Sequence, residues 1–377
     1  MLCKGIQLYT KCSGLHTNYR RTGMEVMELL LATKKMGASD LHITVGIPPV
    51  LRIHGQLKRL DMPQLKPEDT EKLVKELLYN DILKEKFKKH GEVDFAFGMP
   101  DIGRYRVNVY KQRGTCAAAL RNVATVIPSM ESLGLPRPIL QELASNTRGL
   151  VLVTGPTGSG KSTTLATMIE YINQTRPCHI LTLEDPIEYL HKHDQSIVNQ
   201  REIGIDTQGY GVALRAALRE DPDVILVGEM RDTETIATAI TAAETGHLVL
   251  STLHTLGASQ TIDRIIDVFP PFQQEQIKVQ LANILKGVMS QQLLTRTDTS
   301  GRCIAYEIML STPAISNLIR EGKSYQINSH IQTGGKIGMQ TMDSNLMALY
   351  KQGHITLDQA INHAFVPGEI KRLLGVL

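Results

Sequence analysis

The sequence predicts an α/β protein whose C-terminal part carries a mostly parallel sheet. Three observations indicate this fold class. The 377 residues exceed what one hydrophobic core usually covers, so two domains are expected. After about residue 139, short apolar runs alternate with helical patterns, which is typical of strands joined by crossover helices. A glycine-rich stretch joins the first apolar run to a helix, and the runs lie at residues 150–154, 179–183, 224–227 and 248–252.

The composition is that of an ordinary soluble protein. Hydrophobic residues make up 42% of the chain and charged residues 21%, and the formal net charge of +3 is small. The charge does not require nucleic acid, and no apolar stretch approaches the roughly 18 residues of a membrane-spanning helix. The five cysteines are far apart, odd in number and without a C-x-x-C pair. A disulfide framework and a tetrathiolate zinc site are therefore not expected, and a reducing cytoplasm fits best.

The first residues lack the pattern of a folded element. Residues 1–23 carry several basic side chains, no apolar run of signal-peptide length and no helical or strand period. We expect them to be a disordered leader. Met24 or Met27 could equally be the functional start, because the periodic pattern begins only there.

Composition shifts divide the rest of the chain into two domains and a linker. Residues 24–124 mix short strands with amphipathic helices, which predicts a smaller α+β domain. The segment 125–138 carries three prolines and is interpreted as the linker. Residues 139–377 form the larger domain, with a helical C-terminal part from about residue 313.

An arginine-rich hairpin is predicted near the end of the first domain. A period of two from residue 103 to 110 places alternate polar and apolar side chains on opposite faces, and the chain turns back near residue 114. A solvated polar face is the plainest interpretation, and the residues alone favour it slightly. The alternative is delivery of an arginine to a transferring phosphate from a neighbouring domain or subunit. The arginines are Arg104, Arg106, Arg113 and Arg121.

The glycine-rich stretch has the spacing and context of a phosphate-binding P-loop. Its glycines let several backbone N–H groups point at one phosphate, and the following helix N-terminus adds partial positive charge. Lys161 would reach the outer phosphates, and the hydroxyl of Ser162 would bind Mg²⁺. The predicted nucleotide-binding residues are Gly155, Pro156, Thr157, Gly158, Ser159, Gly160, Lys161, Ser162 and Thr163.

A cluster of carboxylates follows the second predicted strand. Glu184 and Asp185 come directly after it, and Pro186 keeps the segment out of a helix. Carboxylates can hold Mg²⁺ through its waters or orient a nucleophilic water, so both residues are candidate metal ligands and Glu184 a candidate catalytic residue. Alternatively, Asp185 only caps the following segment.

The third and fourth strands also end in candidate catalytic groups. Glu229 follows the third strand, where the flexible Gly228 occupies the position of the usual metal-binding aspartate, and it is the candidate general base. The alternative is a surface glutamate paired with Arg231. His254 ends the fourth strand, where it could hydrogen-bond the γ-phosphate and report its presence, although a lone histidine there is usually structural.

The C-terminal third is predicted to be mainly helical. Residues 272–294 form the longest candidate helix, because Ile277, Leu281 and Val288 lie on one apolar face. Residues 302–310 alternate well enough for a strand. A helix at 313–321 would follow, with Thr312 as its cap and Pro313 at its first position. Core packing is the simplest role for this tail, and a docking surface is the rival interpretation.

Four motifs together resemble the type II/IV secretion ATPases, and the resemblance covers nearly everything after about residue 24. They are the P-loop, the carboxylate box at 181–188, the atypical strand-end motif at 219–232 and the histidine box at 246–255. The segment 314–321 is similar to a C-terminal motif associated with retraction in this family, although Ser316 stands where an arginine is common. Family members in pilus assembly usually carry a tetracysteine element, whereas only Cys303 lies in the comparable stretch here.

The resemblance implies a RecA-like P-loop motor domain, a smaller PAS-like N-terminal domain and a helical C-terminal tail. It also implies a cytoplasmic homohexameric ring that hydrolyses ATP with Mg²⁺ and powers type IV pilus retraction, which is the basis of twitching motility. The N-terminal arginines would contact the phosphates. Strand alternation favours Arg106 and then Arg121 as catalytic groups, with Arg104 and Arg113 binding the nucleotide.

The resemblance further implies partners and leaves an alternative function. The ring would act on a pilus platform protein in the inner membrane, reach the membrane only through partners, and work alongside a second retraction ATPase. The alternative is an accessory ATPase or a nucleotide-dependent regulatory ring with little hydrolysis of its own. A nucleic-acid translocase is disfavoured by the modest charge, the absence of Trp and the 5% content of aromatic residues.

Overall fold

The computed structural model describes residues 25–53, 55–99, 102–123, 126–299 and 301–373. The predicted leader and the choice between Met24 and Met27 as the start lie outside these residues or at their edge. The chain divides into two compact units, one ending at Asn122 and the other beginning at Val123. The residues from 126 to 136 form turns and bends rather than helix or strand.

The first unit is an α+β fold with one sheet of six described strands, whose order in the sheet differs from their order along the chain. The sheet order over the described residues is β3-β2-β1-β6-β5-β4, and the pairs β1–β2, β2–β3, β1–β6 and β4–β5 are antiparallel. The elements are α1 (Val26–Lys35), β1 (Asp40–Ile43), β2 (Val50–Ile53), β3 (Gln56–Arg59), α2 (Pro67–Leu77), α3 (Asp81–His90), β4 (Glu92–Met99), β5 (Gly103–Gln112) and β6 (Thr115–Val123).

Local sequence explains the helix ends and the hairpin of this unit. Asn80 caps α3, since its side chain accepts a hydrogen bond from the N–H of Leu83 at 2.8 Å. Gly91 ends the same helix in the left-handed conformation, with a φ of 77°. On β5, Tyr105 is fully buried and its hydroxyl donates to the carbonyl oxygen of Leu30, whereas Arg106 is exposed. The predicted alternation along this strand is therefore confirmed.

The second unit is built on a larger, mostly parallel sheet that continues into a helical tail. Its elements are α4 (Arg137–Ala144), β7 (Gly149–Thr154), α5 (Lys161–Thr175), β8 (His179–Glu184), β9 (Ile197–Glu202), α6 (Tyr210–Ala217), β10 (Val224–Val227), α7 (Thr233–Glu244), β11 (Leu248–Leu253), α8 (Ala258–Asp267), α9 (Pro271–Ile284), β12 (Leu285–Thr295), β13 (Arg302–Leu310), α10 (Pro313–Arg320), α11 (Ile327–Thr333), α12 (Met342–Lys351), α13 (Leu357–His363) and α14 (Pro367–Leu373).

The sheet of the second unit places four strand ends side by side. Its order over the described chain is β13-β12-β7-β11-β10-β8-β9, with every adjacent pair parallel except β12–β13. Strands β7, β10 and β11 are buried along their whole length, which explains their near-continuous apolar runs. The predicted strands at 150–154, 179–183, 224–227 and 248–252 and the α/β class are confirmed. Strand β9 was not predicted.

The single long helix predicted for residues 272–294 is wrong. The helix ends at Ile284, and β12 begins at once between β7 and β13. The apolar spacing of three and four continues through Val288 only because β12 is buried on both faces, so periodicity could not distinguish the two structures. Gly287 fits the strand, because a Cβ there would lie 2.9 Å from the Leu143 side chain and 3.0 Å from the Met309 carbonyl oxygen.

The tail after β13 is helical, as predicted. Thr312 caps α10 by accepting from the N–H of Ile315, and Pro313 is the first helical residue. The last three helices pack against β12 and β13 around a small separate core that includes Leu294, Ala305, Met342, Leu346 and Ile370. No helix within the described ranges is long and apolar enough to cross a membrane.

Candidate nucleotide-binding site

A cleft of about 290 Å³ lies beyond the carboxyl ends of the parallel strands of the second unit. Four strands deliver side chains to it, namely β7 through the P-loop, β8, β10 and β11. Ligands of open parallel sheets bind at this edge, because the loops that follow the strands converge there. The cleft is lined by Lys161, Ser162, Glu184, Asp185, Glu229 and His254, among others. Of the site residues predicted in this unit, the structure therefore brings eight to one cleft, namely Thr157, Gly158, Lys161, Ser162, Glu184, Asp185, Glu229 and His254.

The P-loop joins β7 directly to α5. Gly155, Gly158 and Gly160 have φ values of 140°, 79° and 91°, a region that only glycine adopts without strain. The ammonium group of Lys161 donates to the carbonyl oxygens of Gly155 at 2.9 Å and Pro156 at 3.1 Å. Burial lowers the pKa of Lys161, and the negative charges of nearby glutamates oppose this shift. The loop thus presents a helix N-terminus and one partly desolvated cation.

The other predicted P-loop residues differ in exposure. Pro156, Thr157 and Ser162 are exposed, whereas Ser159 is buried. The hydroxyl of Thr163 lies 3.0 Å from that of Tyr189. Thr157 and Ser162 are therefore the exposed P-loop hydroxyls that line the cleft.

A residue missed by the sequence prediction holds the P-loop from β12. Gln291 is fully buried, and its amide nitrogen donates to the carbonyl oxygen of Ser159 at 2.8 Å. Its amide oxygen accepts from the hydroxyl of Thr164 at 3.0 Å. One signal was available, because three consecutive polar residues from Ser290 to Gln292 cannot share the apolar face of a helix.

Glu184 is the most strongly perturbed carboxylate of the cleft. Burial raises its pKa to about 6, against hydrogen bonds from the Thr182 hydroxyl at 2.6 Å, the Gln200 amide at 3.2 Å and the N–H of Glu188. Asp185, by contrast, is exposed, and the segment after it is not helical. Glu184 can therefore exchange a proton near neutral pH, whereas Asp185 presents its carboxylate to solvent.

Glu229 lies between two basic partners. Its carboxylate is 2.6 Å from the Arg231 guanidinium and 3.2 Å from Nε2 of His254, and its side chain is only 15% exposed. The pairing with Arg231 matches the alternative interpretation. That alternative does not include the contact of Glu229 with His254. This contact joins the ends of β10 and β11, and both residues line the cleft.

Close packing explains why glycine occupies position 228. A Cβ there would lie 2.8 Å from the Tyr210 hydroxyl and 3.1 Å from the Leu183 carbonyl oxygen. The Thr252 hydroxyl also donates to the Gly228 carbonyl oxygen at 2.6 Å. Burial raises the pKa of Tyr210, so its hydroxyl stays neutral beside the cleft. The sequence interpretation invoked flexibility, whereas the structure gives a steric reason.

The four predicted arginines belong to the first unit. Arg104 and Arg106 lie on β5, Arg113 lies in the turn of the hairpin with a φ of 48°, and Arg121 lies on β6. Arg121 donates to Asp40 at 2.8 Å. Burial opposes ionisation of Asp40, but the hydrogen bonds from Arg121 and Ser39 lower its pKa. Arg121 therefore already has a carboxylate partner within its own unit.

The cleft contains oxygen atoms that could bind a metal ion. Among the described residues, no three His, Cys, Asp or Glu side chains group as a metal centre. The cleft does offer the Ser162 hydroxyl and the carboxylates of Glu184 and Asp185. Hard oxygen ligands of this kind suit Mg²⁺, which usually takes only one or two protein ligands in nucleotide sites.

A P-loop at the switch from strand to helix, facing carboxylates at neighbouring strand ends, defines a nucleoside-phosphate site of the P-loop α/β class. The chain belongs to the type II/IV secretion system protein family, whose model matches residues 24–362. Because that match covers most of the chain, the family resemblance inferred from the motifs is confirmed.

Three similar proteins are informative. The chain is 48% identical over 344 residues to the type IV pilus retraction ATPase PilT of Pseudomonas aeruginosa, covering 91% of this chain and 99% of that protein. It is 41% identical over 351 residues to the type IV pilus ATPase PilU of the same organism, covering 93% and 91%. The crystal structure of the pilus retraction motor PilT with bound ADP matches with a TM-score of 0.86 and 52% identity, covering 93% and 99%.

Proposed function

We propose that this protein is an ATPase that powers type IV pilus retraction. The observation that carries the proposal is the convergence of Lys161, Glu229 and His254 on one cleft behind a P-loop. The near full-length similarity to a retraction ATPase and to a motor crystallised with ADP supports it. Twitching motility would be the cellular consequence.

Different residues of the cleft have different roles in the reaction. The N–H groups of the P-loop and the Lys161 ammonium bind the phosphates and stabilise the charge that develops in the transition state. Glu229 accepts a proton from the attacking water, and Arg231 and His254 hold its carboxylate in place. When ATP occupies the cleft, His254 contacts the γ-phosphate and so couples the phosphate to the position of Glu229.

Mg²⁺ fits the oxygen donors of the cleft. The Ser162 hydroxyl would hold Mg²⁺, and Glu184 and Asp185 would hold it through water molecules. When bound there, Mg²⁺ would supply positive charge that offsets the negative charge of the phosphates. Glu184, whose pKa is about 6, would accept hydrogen bonds from those waters in its ionised form.

The arginine hairpin of the first unit would supply positive charge to the phosphates. Arg106 is the first choice, because it is exposed on β5, opposite the buried Tyr105. Arg121 is a weaker choice than strand alternation suggested, since it is engaged by Asp40. Arg104 and Arg113 would bind the nucleotide from the same hairpin.

The assembled protein would be a homohexamer of RecA-like motor domains with PAS-like N-terminal domains. It would lie in the cytoplasm and reach the inner membrane through the pilus platform protein. The similarity to PilU supports a second ATPase of the same family as a further partner.

The decisive measurement is steady-state ATP hydrolysis by purified protein with Mg²⁺. Glu229→Gln should reduce turnover at least about a hundredfold, because it removes the proton acceptor, while ADP binding remains. Glu244→Gln is the matched control, since that carboxylate lies on α7 and accepts from Gln280. Hydrolysis by Glu229→Gln at the rate of the unaltered protein would show that Glu229 is not the base.

The similarity to PilU also favours a second candidate, a regulatory ring with little hydrolysis of its own. A filament-retraction assay in cells in which this protein is the only retraction ATPase separates the two. Pulling supports the motor, and its absence in the presence of folded protein supports the regulator.

A further inference from the structure

The buried amide of Gln291 is fully committed to the P-loop. Only its nitrogen can donate to the carbonyl oxygen of Ser159, and only its oxygen can accept from the hydroxyl of Thr164. Both contacts join buried groups, and the side chain of Gln291 has no exposed surface. The two bonds therefore fix the orientation of the amide and of the groups it contacts.

The bond to Ser159 also fixes the next N–H group. In a trans peptide, the carbonyl and the following N–H point in opposite directions. Because the carbonyl of Ser159 points at β12, the N–H of Gly160 is directed away from β12. N–H groups of this part of a P-loop are the donors that hold nucleotide phosphates.

The second bond ties the same amide to the helix that follows. Thr164 lies in the first turn of α5, and its own N–H donates to the carbonyl oxygen of Gly160 at 3.0 Å. Gln291 thus contacts the chain on both sides of Gly160, at Ser159 before it and at Thr164 after it. The backbone of β12 also contacts the start of the loop, because a Cβ at Gly155 would collide with the carbonyl oxygen of Gln291.

We propose that Gln291 is a positioning residue for nucleotide binding: it holds the peptide between Ser159 and Gly160 so that the N–H of Gly160 donates to a phosphate. This inference rests on the proposed function, since the cleft must take a nucleotide. Gln291 itself acts through the loop and does not contact the ligand.

Gln291→Met tests the proposal, because it removes both hydrogen bonds at similar volume. The matched control is Gln292→Met, one residue along and on the other face of β12, where the amide contacts His363 of α13 at 2.7 Å and 3.1 Å. The readout is the dissociation constant of a fluorescent ADP measured by anisotropy, and thermal unfolding checks that each variant is folded. Gln291→Met should raise it about tenfold or more, the effect of one lost hydrogen bond to a charged group. Gln292→Met should leave it unchanged.

Gln291→Glu gives a second readout that a general packing defect would not produce. A protonated carboxyl has one donor and one acceptor, as the amide has, whereas the carboxylate has acceptors only. Burial raises the pKa of such a carboxyl. The variant should therefore bind ADP weakly at pH 8 and recover toward the affinity of the unaltered protein at pH 6, with both proteins measured at each pH.

The outcomes separate this inference from the proposed function. No binding of ADP by the unaltered protein would overturn both. Normal binding by folded Gln291→Met, or equal weakening by Gln292→Met, would overturn only the positioning role. If Gln291→Met does not fold, Thr164→Val removes the hydroxyl that donates to the Gln291 amide oxygen. Weaker ADP binding by this variant would support the positioning role, and unchanged binding would contradict it.

Discussion

The two sides of the P-loop have opposite chemistry. On the cleft side, which we call the front wall, stand Glu229, Arg231 and His254, all ionisable, and Arg231 and His254 have side chains that are 74% and 44% exposed. On the side of β12, the back wall, Thr164 and Gln291 are neutral and buried. The front wall consists of ionisable groups, of which Arg231 and His254 reach solvent, whereas the back wall consists of neutral groups whose hydrogen bonds are buried.

This difference indicates which wall can rearrange. Exposed ion pairs contribute only about 0 to 1 kcal/mol, so the partners of Glu229 can be exchanged when a phosphate arrives. Removing one partner of a buried hydrogen bond costs about 1 to 3 kcal/mol, so the back wall is held in one arrangement. In the proposed mechanism the front wall carries the chemistry, and the back wall sets the geometry of the P-loop.

The largest expected effect comes from Lys161, the cation of the loop itself. Lys161→Ala removes the group that would stabilise the outer phosphates, so hydrolysis should fall at least about a hundredfold. Phosphate release at saturating ATP measures it. Lys336→Ala, in an exposed lysine of the tail, is the control and should retain full turnover. Loss of activity in both variants would mean that the effect is not specific to the lysine of the P-loop.

A stability change of intermediate size should come from the back wall. Gly155→Ala places a Cβ against the carbonyl oxygen of Gln291 and 2.7 Å from the Ser159 hydroxyl, at a φ of 140°. Because backbone must move, we expect a loss of about 3 kcal/mol, measured by urea denaturation. Gly158→Ala is the control, since its φ is also positive but nothing lies within 4 Å of its Cβ. In Gly158→Ala the backbone strain alone should cost about 1 kcal/mol of stability. Equal losses of stability in the two variants would mean that the back wall moves to accommodate the added Cβ at residue 155.

The smallest expected effect is the pH dependence contributed by Glu184. Its pKa is raised from 4.5 to about 6 in the folded protein. Since the folded state holds the proton more tightly, the stabilisation is complete below pH 4.5 and is lost as the pH rises through 6. Relative to Glu184→Gln, the free energy of unfolding should fall by about 2 kcal/mol between pH 4.5 and 7. Denaturation at several pH values measures the difference, and a constant difference would mean that Glu184 is not buried enough to shift.

The front wall was largely predictable from the sequence, and the back wall was not. The P-loop, Glu184, Glu229 and His254 each directly follow an apolar run, so the rule that ligands bind beyond parallel strand ends brought them together. Gln291 lies within a strand far along the chain, and its contact with Ser159 depends on β12 pairing with β7. Nothing local in the sequence specifies that pairing.

The erroneous helix at 272–294 had the same cause. A strand buried on both faces has no period of two, and its apolar residues happened to continue the spacing of α9. The partner of Arg121 was likewise out of reach, because its ion pair with Asp40 joins residues distant in sequence. The pairing of Glu229 with Arg231 was anticipated as an alternative, because the two residues are close in sequence.

Gly228 links two positions that a change in sequence would have to alter together. The space that an aspartate side chain would need at the end of β10 is taken by the hydroxyl of Tyr210. A designer who wished to restore a carboxylate at 228 would have to shorten residue 210, with phenylalanine as the smallest step, and also shift the Leu183 carbonyl oxygen, which lies 3.1 Å from that Cβ. The Tyr210 hydroxyl and the backbone of the neighbouring strand thus leave Glu229, one residue further on, as the carboxylate of this strand end.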